Sequence, residues 1–418
     1  SALGHAAVVA LVIWAFYGFR FAAFNPALPP ADHFIRPWAD YVGNTGLIGE
    51  ATRELARLKA LPEGYLYGFD YVLATTKSRA AFLNGEHSIT GWRTFFIWTF
   101  LLKTTLPILI ATLLLTFGVI RRACFEGGGR RIFYRWTPLV ALLTIYGATS
   151  ITSQLNIGHR HILPLYPVIF IAAGGLGTVL FSANRWRMPA MAALCTWQAF
   201  EGWRIAPYHL AYFNPIAGGP ANGWRHLVDS SLDWGQDLPA LKQWLESNAK
   251  GQPAYLSYFG TAEPAYYKIS ARRLVFVNNF RFAPIFEKLE PGVYCISATI
   301  LQQVYTPVGG PWTPEREKEY QELRALEPAF TAYSTDSGAR TELLKNVPAE
   351  RWQNAIQRHD VLRMARLTAF LRPRKPDANA GYSILIYRLS AEEIHDATAG
   401  TWSEWLRRIE RTAAPDQR

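Results

Sequence analysis

Long apolar segments alternate with polar ones through the first half of the chain. A helix that crosses a membrane needs about 20 mostly apolar residues. Five segments approach that length and composition: Leu3–Phe24, Thr94–Ile120, Thr137–Thr152, Ile162–Ser182 and Pro189–Ile205. The pattern therefore predicts five membrane spans within residues 1–207, with an outer loop over residues 25–93 between the first two.

The loops between these segments differ in charge. Arg121–Arg135 has five arginines and one glutamate, and Arg185 and Arg187 precede the fifth segment. Short arginine-rich loops stay in the cytoplasm. We therefore expect residues 25–93, and everything after the fifth segment, on the outer side of the membrane. Since Ser1 opens inside an apolar segment with no basic leader, we also expect the chain to begin partway into a longer protein.

The outer loop has a pattern of its own. Apolar positions in Leu47–Leu61 follow a helical period, and Tyr65–Ala74 is aromatic and apolar with one acidic residue, Asp70. Two interpretations stay open. The segment is either an interfacial helix lying on the membrane or a small packed subdomain.

Residues 208–418 predict a separate α/β domain on the outer side. Asp237 is a candidate cap for a helix over Leu238–Ser247. The predicted strands are Ala254–Phe259, Leu274–Asn278, Gly292–Ser297 and Tyr382–Tyr387, and the further helices are Glu315–Leu326, Ala349–Gln357 and His359–Phe370. This alternation favours a mixed or parallel sheet with helices on its faces. The predicted fold class is an α-helical multi-span membrane protein with a C-terminal α/β domain.

The amino-acid composition excludes some classes of function. Charged residues make up 18% of the 418 positions, against about 25% in soluble domains. The net charge of +11 lies mostly in the apolar half: residues 1–207 carry 18 basic and 9 acidic side chains, and residues 208–418 carry 25 and 23. A nucleic-acid-binding protein would concentrate basic residues on a soluble domain, so we expect no nucleic-acid partner. The three cysteines show no metal-ligand spacing.

The densest polar cluster between two apolar segments is the sequence Asn156–His161 (NIGHRH). Ionisable groups beside a membrane span are costly and suggest function. Arg160 offers a fork of donors that matches a phosphate, and His159 and His161 add donors or charge. Gly158 allows a close backbone approach. Phosphate recognition is the favoured interpretation, and a solvated loop that contacts lipid headgroups is the alternative.

Lys103 is a second candidate, placed inside the apolar segment FLLKTTLP. Pro107 has no N–H to donate to the Lys103 carbonyl, so the helix is locally opened there. A lipid phosphate or a carboxylate would balance the charge of this lysine. A lysine that extends back to the membrane surface is the plainer alternative.

Two further motifs carry polar chemistry. Asp229, Asp233 and Asp237 have the spacing of one helix face that could bind a divalent cation. Gly235 interrupts that helix, so a structural turn is favoured, with a site role for Asp233 or Trp234 as the alternative. Glu86 and His87 form either a general acid/base pair or the polar cap of an interface.

These motifs together resemble bacterial phospholipid-carrier-dependent glycosyltransferases, relatives of the dolichyl-phosphate-mannose protein mannosyltransferases. The resemblance covers roughly residues 1–270. It rests on the segments Phe82–Trp92, Phe100–Pro107, Leu155–Pro167 and His209–Leu238. It implies the membrane architecture known as GT-C and transfer of a sugar from a polyprenyl-phosphate carrier to a protein, lipid or glycan.

The resemblance also implies residue roles. Lys103, His159, Arg160 and His161 would bind the donor phosphate, with Asn156, Glu86, His87, Asp233 and Trp234 as candidate supporting residues. The carboxylate base of the family lies in its first outer loop, and this chain shows no such region. We therefore expect the base upstream of Ser1, and this chain alone to be inactive.

The sequence thus predicts a glycosyltransferase of a bacterial inner membrane, with a periplasmic C-terminal domain. Its expected partners are a polyprenyl-phosphate-linked sugar, membrane lipids and a protein or glycan acceptor. No cofactor is required by the pattern, and a divalent cation stays open. The alternative is a non-catalytic membrane module that binds a lipid phosphate and presents its outer domain to a partner. A transporter is weaker, because no inverted repeats are visible.

Overall fold

The computed structural model describes residues 2–23, 38–125, 129–180, 187–274 and 286–413. The chain forms two compact units. One comprises Ser1–Arg79 and Ile89–Trp92, and the other Ala80–Ser88 and Arg93–Arg418. The predicted boundary between residues 207 and 208 stays a prediction.

The first unit is helical. Its helices are α1 (Ala2–Phe16), α2 (Trp38–Thr45), α3 (Leu47–Arg57) and α4 (Glu63–Thr76). Helices α2, α3 and α4 pack around the buried carboxylate of Asp70, whose Oδ2 accepts hydrogen bonds from Trp38 Nε1 and Thr52 Oγ1, each at 2.7 Å. This is the arrangement of a small packed subdomain. The interfacial-helix alternative stays a prediction, since Leu47, Ile48 and Leu58 keep at least half of their surface exposed.

The second unit begins with a hairpin and a group of apolar helices. In chain order these are β1 (Ala81–Leu83), β2 (Glu86–Ser88), α5 (Phe95–Lys103), α6 (Leu106–Phe125), α7 (Gly129–Thr152), α8 (Tyr166–Leu180) and α9 (Arg187–Ile205). A 3-10 segment over His159–Leu165 leads into α8. The apolar pattern therefore located the helices, because helical periodicity is a local property of the chain.

The prediction of a multi-span membrane protein is wrong. Within the described ranges, no single helix is long and apolar enough to cross a membrane, and only α5 and α6 together meet that test, across a bend of 116°. The predicted span Thr94–Ile120 is broken where Thr104 is extended. The span predicted over Ile162–Ser182 begins as a 3-10 turn containing Pro164. Residues 24–37, 126–128 and 181–186, which include predicted loop and span residues, lie outside the described residues.

The first predicted span fails for a similar local reason. Helix α1 has 15 residues and ends at Phe16, before Gly18 and Phe19, which both have positive φ angles. A positive φ at two successive positions cannot continue a right-handed helix. Hydrophobic composition extends to residue 24, but regular helix does not.

The C-terminal part of the second unit is built on a five-stranded mixed sheet. Its order is β4 (Arg272–Arg273), β3 (Ala254–Ser257), β5 (Gly292–Ser297), β7 (Ile384–Leu389), β6 (Ala378–Ala380). Strand β3 is parallel to β4 and β5, whereas β7 is antiparallel to β5 and β6. Tyr255 and Tyr294 are register partners, and their rings stack with centroids 4.5 Å apart. The predicted mixed sheet is present in this segment.

Helices accompany the sheet: α10 (Leu238–Asn248), α11 (Ala298–Leu301), α12 (Pro314–Arg324), α13 (Glu327–Thr335), α14 (Ser337–Asn346), α15 (Ala349–Leu371), α16 (Ala391–Thr398) and α17 (Trp402–Ala413). Helix α15 is continuous where two helices were predicted. A buried ion pair joins α12 to α15, with Arg366 Nε 2.8 Å from Glu317 Oε2 and both side chains nearly inaccessible. Most of the predicted strand Leu274–Asn278 lies outside the described residues.

Candidate functional site

The bend between α5 and α6 is held by a residue that the sequence analysis missed. Asn214 is fully buried. Its Nδ2 donates to the carbonyls of Leu101 at 2.6 Å and Thr104 at 2.9 Å, and its backbone N–H donates to Leu102 at 3.0 Å. These are carbonyls that the end of a helix leaves without intrahelical partners. The available signal was the Asn214-Pro215 dipeptide, which marks a turn.

Lys103 lies at the end of α5, where this bend directs it toward two distant segments. Its Nζ donates to the carbonyls of Leu210 at 2.7 Å and Ser231 at 2.6 Å, and it lies 4.3 Å from the centre of the Phe213 ring. An ammonium group has three donors. These contacts use two of them, and burial lowers the pKa of Lys103 to about 7.

The segment Asn156–His161 packs directly on the same turn. The backbone of Gly158 lies so close to Ser230 that a Cβ added at Gly158 would be 2.5 Å from the Ser230 Cβ. The backbone N–H of His159 donates to Ser231 Oγ at 3.2 Å. Ser231 is therefore bound by Lys103 through its carbonyl and by His159 through its hydroxyl. The backbone of Gly158 thus approaches Ser230 of the same chain, whereas the sequence predicted an approach to a ligand, which stays a prediction.

His159 is a neutral side chain in this environment. Its Nε2 forms a hydrogen bond with the Tyr166 hydroxyl at 2.9 Å, and the same hydroxyl bonds Thr104 Oγ1. Burial and, to a smaller extent, the positive charge of Lys103 together lower the pKa of His159 to about 3. His159 therefore positions the segment and adds no positive charge near pH 7.

Arg160 supplies an exposed cation beside these buried groups. Its guanidinium carbon lies 4.9 Å from the centre of the Trp234 ring, which is 51% exposed. Among the residues that the structure describes, no carboxylate pairs with Arg160. A guanidinium that lies over an exposed indole ring can still donate its N–H groups to a ligand.

The three aspartates of the second motif have separate partners. Asp229 Oδ2 accepts from the Tyr305 hydroxyl, and Asp237 Oδ2 accepts from Ser383 Oγ at 2.6 Å. The side chain of Asp237 makes no capping bond to α10, so that prediction is wrong; the buried serine binds it instead. Over the described ranges, no group of three His, Cys, Asp or Glu residues could hold a metal ion. The favoured structural turn matches this geometry.

Asp233 is the exception among them, because its carboxyl group is fully buried. Oδ1 accepts from the N–H of Gly235 at 3.0 Å, while Oδ2 has no hydrogen-bond partner within the described part of the chain. Burial raises the pKa of Asp233 to about 8, and the negative charge of Asp237 acts in the same direction. Asp233 is therefore a protonated, neutral acid at pH 7, directly before Trp234 in the chain.

The remaining candidates face other groups. His87 Nε2 forms a hydrogen bond with the carbonyl of Gln302, and Glu86 is exposed on the same hairpin strand. The carbonyl of His161 accepts from Tyr146 at 2.7 Å, and Asn156 is buried and donates to Ser153 at 3.1 Å. The structure thus brings Lys103, His159, Arg160 and Trp234 to one site. His87 bonds Gln302 instead, and Glu86 is exposed.

Comparisons with known proteins give no identification. No protein-family model matches the chain, and neither curated proteins nor solved structures give a match.

Proposed function

We propose that this chain binds the phosphate of a polyprenyl-phosphate-linked sugar and belongs to a glycosyltransferase that passes the sugar to a protein, lipid or glycan acceptor. The observation that carries the proposal is the convergence of Lys103, the segment Asn156–His161 and Trp234 on one turn around Ser231. This juxtaposition joins residues more than 100 positions apart in the chain.

The chemistry of sugar transfer fits these groups. When a sugar leaves a lipid phosphate, negative charge grows on the departing phosphate oxygen, and preorganised cations stabilise that charge. Arg160 offers a planar pair of donors, and Lys103, whose pKa burial lowers to about 7, would gain its full positive charge when a phosphate binds beside it. His159 holds the loop through Tyr166 and Ser231 and is a positioning residue in this scheme. A lipid-linked donor places the reaction at a membrane surface, and we propose the bacterial inner membrane with the C-terminal domain on the periplasmic side.

A second candidate function deserves a test, because an observation favours it. Asp233 directly precedes Trp234 in the chain, and its carboxyl group has no exposed surface. It therefore offers no accessible base for an acceptor hydroxyl. A non-catalytic module that binds a lipid phosphate and presents the C-terminal domain to a partner would need the same cations and no base.

The deciding experiment uses the native protein isolated from its cells at its full native length. Transfer of radiolabelled sugar from a polyprenyl-phosphate donor is measured for the wild type and for Arg160→Ala. The proposal predicts a loss of about 100-fold or more, because a cation facing the leaving group contributes about that much. Arg225→Ala is the matched control, since Arg225 also covers a tryptophan ring, Trp224, at 4.3 Å.

Each outcome has one meaning. Transfer that falls in Arg160→Ala alone, with unchanged thermal unfolding, supports the enzyme. Wild-type transfer with no change in Arg160→Ala contradicts the phosphate role of that residue. No transfer by the folded wild type, combined with binding of the lipid phosphate, favours the non-catalytic module.

A further inference from the structure

Two arginines and a histidine surround the loop after α11. Arg372 Nε donates to the carbonyl of Leu301 at 2.9 Å, and His87 Nε2 bonds the next carbonyl, that of Gln302. Arg316 donates to the carbonyls of Gly309 at 2.8 Å and Pro311 at 2.6 Å. The carbonyl between them, Gly310, is 3.4 Å from Arg372 Nη1. All three side chains therefore form hydrogen bonds with backbone carbonyls at the two ends of one short loop, residues 301–311.

Arg316 and Arg372 differ from other arginines of the C-terminal part of the chain in the groups that they bind. Arg358, Arg363, Arg366 and Arg374 each lie within 3 Å of a carboxylate oxygen. Within the described ranges, neither Arg316 nor Arg372 has a carboxylate within ion-pair distance. Their protein partners are backbone carbonyls, which carry no net charge.

The electrostatics agree with two uncompensated guanidinium charges. Burial and the charge of Arg316 together lower the pKa of Arg372 to about 10. Burial also lowers the pKa of His87, and the charges of Arg372 and Arg316 act in the same direction. Each group is partly exposed, so a ligand from solvent can reach it. A bound anion would lower the repulsion that the protein leaves in place.

Arg372 also has donors to spare. A guanidinium has five N–H groups. One is used by Leu301, and the two terminal nitrogens share the single carbonyl of Gly310 at 3.4 and 3.5 Å, which is the limit of a hydrogen bond. The fork of a guanidinium matches the oxygens of a phosphate better than one distant carbonyl.

We propose that Arg316 and Arg372, beside the neutral imidazole of His87, form an anion site at loop 301–311 that binds the phosphate group of a ligand. The site is separate from the proposed donor site and does not depend on sugar transfer. Its ligand is either a soluble phosphate ester or the phosphate headgroup of a lipid.

The test is calorimetric titration of the full chain with inorganic phosphate, in an Arg160→Ala background that weakens the donor site. Arg316→Gln is the decisive variant, because Arg316 is partly exposed and bonds only loop carbonyls. We expect it to weaken phosphate binding about tenfold or more, and Arg316→Lys to restore part of the affinity. Arg358→Gln removes an arginine that is paired with Glu319, and it should leave the binding unchanged.

Cosedimentation with phosphatidylcholine vesicles, with and without phosphatidic acid, separates the two sources of ligand. Binding of inorganic phosphate that depends on Arg316 indicates a soluble phosphate ester. Binding to phosphatidic acid vesicles alone, again dependent on Arg316, indicates a lipid headgroup. Binding of neither probe, or binding unaffected by Arg316→Gln, overturns the proposal. The result is independent of the proposed function, which is tested separately by the effect of Arg160→Ala on sugar transfer.

Discussion

At the scale of single residues, two neighbours of Trp234 have opposite environments. Arg160 covers the exposed face of that ring, whereas Asp233 has no exposed surface. The residue types at both positions were evident from the sequence, and so was the candidate role of Arg160. The burial of Asp233 was not, because it depends on packing against residues such as Tyr258 and Thr299, which follow much later in the chain.

The raised pKa of Asp233 predicts how stability depends on pH. The folded protein binds a proton at this carboxyl up to about pH 8, whereas the unfolded chain releases it near pH 4. The contribution to stability is therefore complete below about pH 4 and is lost as the pH rises to about 8. Asp233→Asn stays neutral, so it should reduce this fall in the free energy of unfolding, which is on the order of a few kcal/mol.

Urea unfolding measured at intervals from pH 4 to pH 9 checks this prediction. Asp237→Asn is the matched control, because the pKa of Asp237 is raised to only about 6 by burial. That control should remove only the contribution of Asp237, which ends near pH 6, and leave the fall between about pH 6 and pH 8 in place. Equal pH profiles for the wild type and Asp233→Asn would show that Asp233 is ionised in the folded protein.

At the scale of elements, the helix positions followed from sequence and their ends did not. The interruption near Pro107 was predicted from the missing N–H of proline, and the chain bends there by 116°. Asn214, which binds the carbonyls at that bend, lies 110 residues after Thr104. Local patterns contain no information about a partner so far away, so the size of the bend and its fixed geometry could not be predicted.

Asn214→Ala tests whether this side chain holds the bend. The substitution leaves the carbonyls of Leu101 and Thr104 and the N–H groups of Ile216 and Ala217 without this partner, and the bonds to Thr104 and Ala217 are buried. Each buried polar group left unsatisfied costs about 1–3 kcal/mol, so we expect a loss of at least about 2 kcal/mol in the free energy of unfolding. Asn222→Ala, which removes one exposed bond to Gly218, should change stability by less than about 1 kcal/mol. Denaturant unfolding followed by circular dichroism decides; equal losses in the two variants would contradict the role of Asn214.

At the scale of the whole molecule, the predicted architecture differs most from the structure. Composition and length suggested five spans, but composition does not register an extended Thr104 or positive φ angles at Gly18 and Phe19. The mixed sheet was easier to predict, because strand positions such as Gly292–Ser297 follow from local alternation. The contact of Lys103 with Ser231, 128 residues away, was not predicted, because local patterns contain no information about so distant a partner.

The proposed phosphate site is tested most directly by measuring the equilibrium binding of a polyprenyl phosphate to this chain. The comparison is the matching polyprenol, which lacks the phosphate. We expect the phosphate form to bind at least about tenfold more tightly. Arg160→Ala should remove this preference, and Arg225→Ala should keep it. Equal affinity for the two lipids, or a preference for the phosphate that survives Arg160→Ala, would contradict a phosphate site built by Lys103, His159 and Arg160.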